Sequence, residues 1–296
     1  MKIKYLFLTI SVMLLTLAAC NKQGLADSGT TEEIAFTVDG MSIEADVATK
    51  ATAVTASDLT SFAVNCVTGS AGSDVQAWSN VTFTKDDTVW KGGKWWPLSN
   101  PSYRFYATYP STYTMTFAAG GPTIAASNAH DIVCAYASSP TYKVSNTLAF
   151  THIFARVKNM TVQAADGYTI SGITINITPK TGGTYNLYTG SGQTDGTGWS
   201  GTTNGSATNI ANATPGTKAN DLYLVPGSYT LTASWTATKD NYSQSFTGKT
   251  VNVNLVAGKT NNITANLTGN GTEIVFTVSV AAWADNAVNA GTFPYN

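Results

Sequence analysis

The chain has 296 residues, of which only 11% are charged, and 16 basic against 17 acidic side chains leave a formal net charge of −1. No basic field exists to hold nucleic acid. With 3 cysteines and 2 histidines in the whole chain, and no C-x-x-C or paired histidine, a structural metal centre is excluded as well.

Residues 1–19 open with Lys2 and Lys4 and continue into an apolar run from Tyr5 to Leu17. That run, at ~13 residues, is too short for a resident membrane helix and has the form of an export signal. Leu17-Ala18-Ala19-Cys20 completes a lipobox, in which the Cys20 thiol is acylated and becomes the first residue of the mature protein. The bland alternative is an ordinary secretory signal that ends at a cysteine. Cleavage before Cys20 leaves 277 of the 296 residues, with 14 basic and 17 acidic side chains and a net charge of −3. Residues 20–32 hold almost no large apolar side chain and read as a tether.

Beyond the tether, apolar residues alternate with Thr, Ser or Asn at period two, which predicts strands throughout. Ile34, Phe36 and Val38 alternate in Glu33–Val38; Phe62, Val64 and Cys66 follow, then Val81 and Phe83, then Tyr103, Phe105 and Ala107. Later runs are 132–136, 148–162, 170–177, 222–224, 229–235, 251–255, 263–267 and 274–280. Gly92-Gly93, Gly120-Gly121-Pro122, Gly182-Gly183, Pro226-Gly227 and Gly258 punctuate them as turns. A dozen short strands of this spacing fill two β-sandwiches better than one barrel. The polar stretch Ser138–Asn146, with Pro140, sets the expected boundary between an N-terminal sandwich (33–145) and a C-terminal one (146–296). Thr189–Thr214 reads as a long polar loop.

Catalytic chemistry is missing from the pattern. No G-x-S-x-G, H-E-x-x-H, P-loop or dinucleotide fingerprint occurs, so no catalytic, cofactor or metal residue is assigned. His152, inside Phe150-Thr-His-Ile-Phe154, reads as a hydrogen-bonded structural histidine. Cys66 and Cys134 lie in apolar runs, where a thiol acts as a small hydrophobe; a disulfide between them stays open in an exported chain.

Several pieces, in their order, resemble the fimbrillin family of Bacteroidota lipoproteins. They are the lipobox, Ile34-Ala-Phe-Thr-Val38, Thr49-Lys-Ala-Thr-Ala-Val-Thr55, Trp90-Lys-Gly-Gly-Lys-Trp-Trp-Pro97 and Tyr103-Arg-Phe-Tyr-Ala-Thr-Tyr-Pro110. Leu148-Ala-Phe-Thr-His-Ile-Phe-Ala-Arg-Val157, Leu224-Val-Pro-Gly-Ser-Tyr-Thr-Leu231, Ala257-Gly-Lys-Thr-Asn-Asn-Ile263 and Phe276-Thr-Val-Ser-Val-Ala-Ala-Trp283 follow. The resemblance implies two tandem transthyretin-like (Greek-key) β-sandwiches and a structural or adhesive role in cell-surface fimbriae. It implies other fimbrial subunits as partners, an outer-membrane lipid anchor, and a host protein or glycan as a possible target. It further implies assembly in which a protease frees the first strand and a strand from another subunit fills the vacancy.

On this chain the leaving strand is then Ile34, Phe36 and Val38, and the cut falls between Lys50 and Ala51. Lysine there departs from the arginine typical of shaft-forming relatives. The chain supplies its own candidate for the donor. Glu33-Ile-Ala-Phe-Thr-Val38 and Glu273-Ile-Val-Phe-Thr-Val278 differ at one position in six, which makes Ile274, Phe276, Val278 and Val280 the donor side chains. The same likeness is also what equivalent strands of duplicated domains would show. The rival reading is a surface carbohydrate-binding lipoprotein that does not polymerise, with Trp90, Trp95 and Trp96 offering aromatic faces; it expects Trp95 or Trp96 to face solvent.

Overall fold

A computed structural model of the chain describes residues 32–39, 58–69, 75–97, 102–118, 120–138, 140–163, 167–210, 222–267 and 274–282, with the side chains at 118, 158–162 and 266–282 outside that description. The described residues are all-β, without a helix.

The first half supplies β1 (Glu33–Asp39), β2 (Ser61–Thr68), β3 (Val75–Asp86), β4 (Val89–Trp95), β5 (Arg104–Tyr109), β6 (Thr116–Ala118), β7 (Gly121–Ser127), β8 (Val133–Ala137), β9 (Asn146–Ala149) and β10 (Thr151–His152). The second half supplies β11 (Ala155–Gln163), β12 (Thr169–Ile177), β13 (Lys180–Asn186), β14 (Trp199–Asn204), β15 (Thr208–Asn209), β16 (Leu222–Leu224), β17 (Gly227–Lys239), β18 (Tyr242–Leu255), β19 (Lys259–Leu267) and β20 (Ile274–Ala282).

Eight strands of the first half join in one sheet, in the order β10-β8-β5-β2-β3-β4-β1-β9. Its two outermost members, β9 and β10, are separated in the chain only by Phe150. The sheet therefore wraps around its core and closes at residues 146–152, whose first part pairs with β1 and whose last part pairs with β8. Closure leaves no long open edge. The enclosed core is aromatic: Phe36, Phe62, Phe83, Phe105 and Phe150 have no exposed surface. The residues just past the expected 145/146 boundary thus complete the first sheet, and the second unit's own strands begin with β11.

In the second half, a sheet of order β16-β11-β19-β20 faces one of order β15-β12-β17-β18 across a shared apolar core. β17 shows the underlying code. Tyr229, Leu231, Ala233, Trp235 and Ala237 point inward, while the hydroxyl residues between them point out, as period two requires.

A fourth sheet, β14-β13-β7-β6, takes two strands from each half. Its residues Ile124, Ala126 and Tyr185 belong to a third apolar cluster that also includes Leu187, Tyr106 and Phe154. The halves are thereby joined by hydrogen bonds as well as by the chain. Gly182 makes this possible, since a Cβ there would stand 2.4 Å from the Ala126 carbonyl oxygen of β7.

Candidate functional site

The residues of the candidate leaving strand, Ile34, Phe36 and Val38, pack in or against the first core. β1 runs between β4, to which it is antiparallel, and β9, to which it is parallel. An interior strand is held by two ladders. Alternation sends Ile34 and Phe36 inward, both fully buried, and leaves Val38 half-buried. The Phe36 ring meets Phe105 edge-on at 5.0 Å and Phe83 at 5.1 Å between centroids, geometries that add to simple area burial.

Gly92 permits this arrangement. A Cβ at that position would stand 2.7 Å from the Phe83 ring, so the ring rests directly on the β4 backbone. Gly93 takes the left-handed conformation, φ +63°, and helps β4 bulge between its pairings with Glu33 and Ala35. The two glycines expected to mark a turn instead lie inside a strand.

Polar groups fix the strand at both ends. The Trp96 N–H donates to the Glu32 carbonyl at 3.0 Å, and the Phe150 N–H donates to the Asp39 carbonyl at 3.1 Å. The Gly93 N–H donates to Glu33 Oε1 at 3.0 Å. On the outer face, the Thr37 and Thr147 hydroxyls lie 2.9 Å apart. Near the seat, Trp90 Nε1 donates to the Leu59 carbonyl at 2.7 Å, tying β4 to the start of β2. Burial pushes the Cys66 thiol and the Tyr103 hydroxyl above their ordinary ranges, since both charged forms would lose water.

The candidate donor lies elsewhere. Ile274, Phe276, Val278 and Val280 fall in β20, at the edge of the second unit, paired antiparallel with Leu267, Ala265, Ile263 and Asn261 of β19. β1 and β20 share no ladder. Cys20, Lys50 and Ala51 lie outside the described residues. The chain's two arginines, Arg104 and Arg156, are both buried within strands, at 7% and 2% exposure.

Other singled-out residues take structural positions. Cys66 and Cys134 are free thiols. Cys66 is opposite Phe105 and Cys134 opposite Thr108 in the same sheet; an odd offset of three along β5 puts the two thiols on opposite faces, where no disulfide can join them. His152 Nδ1 and Asp131 Oδ2 form a buried pair at 2.8 Å, as expected of a hydrogen-bonded structural histidine. Trp90 and Trp96 are buried, whereas Trp95 is 56% exposed. Among the described residues no group of three or more His, Cys, Asp or Glu side chains could hold a metal ion. The parallel partner strand with Thr147, and the carboxylate hold on Gly93, carry no sequence signal that would have marked them beforehand.

The described residues thus form a closed all-β unit with a buried first strand, joined to a β-sandwich. A family profile described as fimbrillin-like matches residues 49–283, and the chain belongs to that family. Among solved structures, a fimbrial protein of Bacteroides vulgatus is similar at TM-score 0.55 and 14% identity, over 86% of this chain and 100% of that one. Candidate cell adhesion proteins of Bacteroides uniformis (TM-score 0.47, 17% identity, 85% and 99% covered) and Bacteroides ovatus (TM-score 0.48, 13% identity, 87% and 100% covered) are similar too. No curated protein matches the chain. Family membership makes this a fimbrial-type protein of the cell surface, whose kind associates with other fimbrial subunits.

Proposed function

We propose that the chain is a fimbrial subunit, lipid-anchored through Cys20 in the outer membrane as a precursor, and assembled by exchange of its first strand. A protease cuts between Lys50 and Ala51, residues 33–38 leave, and the segment around 273–283 of another subunit takes their place. The observation that carries this reading is the burial of Ile34 and Phe36 in an interior strand. Losing β1 exposes the rings of Phe83 and Phe105 and strips two ladders of their partner. Unpaired backbone and apolar surface together make a site for an added strand. Two full apolar side chains and half of a third are worth about 4–7 kcal/mol of burial before entropy.

The burial of both arginines supports lysine as the cutting point, because a protease must thread its target in extended form and strand-bound, buried side chains resist this. Low-dose trypsin on the purified precursor, followed by sequencing of the new amino terminus, tests the reading. A terminus at Ala51 together with a heat-labile, detergent-resistant ladder is the expected result, and the ladder should vanish when the chain is truncated after Gly271. Cleavage at Ala51 with only monomers would refute the assembly step.

One observation favours a second reading. Trp95 turns more than half its surface to solvent, and an exposed indole face stacks on sugar rings. Glycan-array binding that is lost in Trp95→Ala yet survives deletion of residues 273–296 would support carbohydrate capture by a non-polymerising lipoprotein.

A further inference from the structure

We infer that the incoming strand enters the seat in the same direction as the one it replaces, with residue 273 at the place of residue 33, so that Thr277 of one copy lies against Thr147 of the next. This rests on the strand-exchange reading and adds its direction and register.

The apolar side chains alone do not decide direction. Ile-x-Phe-x-Val read backwards is Val-x-Phe-x-Ile, which offers the same three knobs around a central ring. The polar positions break that symmetry. In the resident strand Glu33 accepts from the Gly93 N–H, Ala35 is buried at 8% exposure on the face away from the ring cluster, and Thr37 meets the Thr147 hydroxyl. In the forward register Glu273 takes the Gly93 N–H, Val275 follows Ala35 with apolar for apolar, and Thr277 meets Thr147. Reversed about Phe276, Thr277 would fall on the buried Ala35 position, Val275 would face Thr147, and the carboxylate would leave the Gly93 end. The reversed strand thus buries a hydroxyl without its partner, which is unfavourable, and gives up the contact with the exposed Thr147 hydroxyl. Direction also sets the ladders, since the forward strand repeats the parallel pairing with β9 and the antiparallel pairing with β4.

The test uses two preparations of the full precursor, one carrying Thr147→Cys and the other Thr277→Cys, mixed after proteolytic cleavage and oxidised mildly. Adjacent strands place paired Cβ atoms within disulfide reach, and the native Cys66 and Cys134 are buried on opposite faces of the first sheet. The expected result is a reducible inter-subunit link between positions 147 and 277, seen on non-reducing gels and placed by peptide mass spectrometry, with at least ~10-fold less product when Val275→Cys replaces Thr277→Cys. Linkage through Val275→Cys instead would reverse the direction while strand exchange stands. A wild-type ladder with neither link would overturn the register, and absence of any wild-type ladder would remove both readings. Ala35→Val gives a check on the monomer, since it makes residues 33–38 identical to 273–278. Its melting temperature should move by less than about 3 °C, and a fall of more than about 10 °C would show that the seat rejects the incoming side chain.

Discussion

Truncating Phe36 to alanine should unfold the first unit far more easily than any change on the outer face of the same strand. Phe36 is fully buried and touches two other rings at 5.0 and 5.1 Å. Removing a fully buried phenylalanine leaves a cavity and costs about 3–5 kcal/mol. At roughly 2–4 °C per kcal/mol for a domain of this size, the melting temperature should fall by roughly 10 °C. Thr37→Ala is the matched control, because it sits one residue along, points outward and loses one hydroxyl contact, worth about 1 kcal/mol. Near-ultraviolet circular dichroism of the uncleaved precursor follows the aromatic cluster directly during heating. If Phe36→Ala and Thr37→Ala melt within about 2 °C of each other, β1 does not hold the core together, and its departure could not create a site that another strand must fill.

Gly92→Ala should cost about 1–3 kcal/mol, because the new methyl would stand 2.7 Å from the ring of Phe83, which is itself enclosed; equilibrium urea unfolding measures it, and an unchanged midpoint would contradict the close approach. Alkaline stability should depend on Tyr229, whose hydroxyl donates to the Val225 carbonyl at 2.5 Å and whose pKa is pushed up to about 12 by burial. The unfolded chain releases this proton first, near the ordinary 10. The contribution is therefore fully present below pH 10 and is lost as pH rises through the folded value near 12. Tyr229→Phe should flatten the fall in stability seen in melts between those limits, with Tyr185, also raised by burial, keeping part of it; a fall as steep as in the parent chain would contradict the assignment.

Much of the fold was readable from alternation alone. Glu33–Val38 and Ile274–Val280 were expected as strands, and β1 and β20 begin at those residues and run one and two further. Alternation worked there because apolar and small polar residues trade places without interruption. It failed where both faces of a strand are wet. β14 and β15 lie within the stretch expected as a long polar loop, and nearly all their residues are exposed, so nothing in their composition separates them from a loop. Glycine misled for a different reason. Gly92, Gly93, Gly121, Gly182 and Gly183 all sit within strands, some because a neighbouring backbone or ring approaches too closely for a side chain and others because the strand bulges. As turn residues and strand residues they look alike in sequence. The shared β7–β13 pairing, which welds the two halves, depends on such contacts. The seat of β1 was half legible: its apolar knobs were evident, but nothing in the sequence pairs it with its parallel neighbour β9, more than a hundred residues away.

The position of β1 between two ladders also has a mechanical side. A strand pulled lengthwise at an open edge is resisted on one flank, and a strand pulled crosswise unzips one bond at a time. β1 is flanked on both sides along its length, and ladder hydrogen bonds run across the strand direction. Tension along its axis therefore loads two rows of bonds together, in shear. Any segment held in that slot is hardest to extract by a pull along its own length.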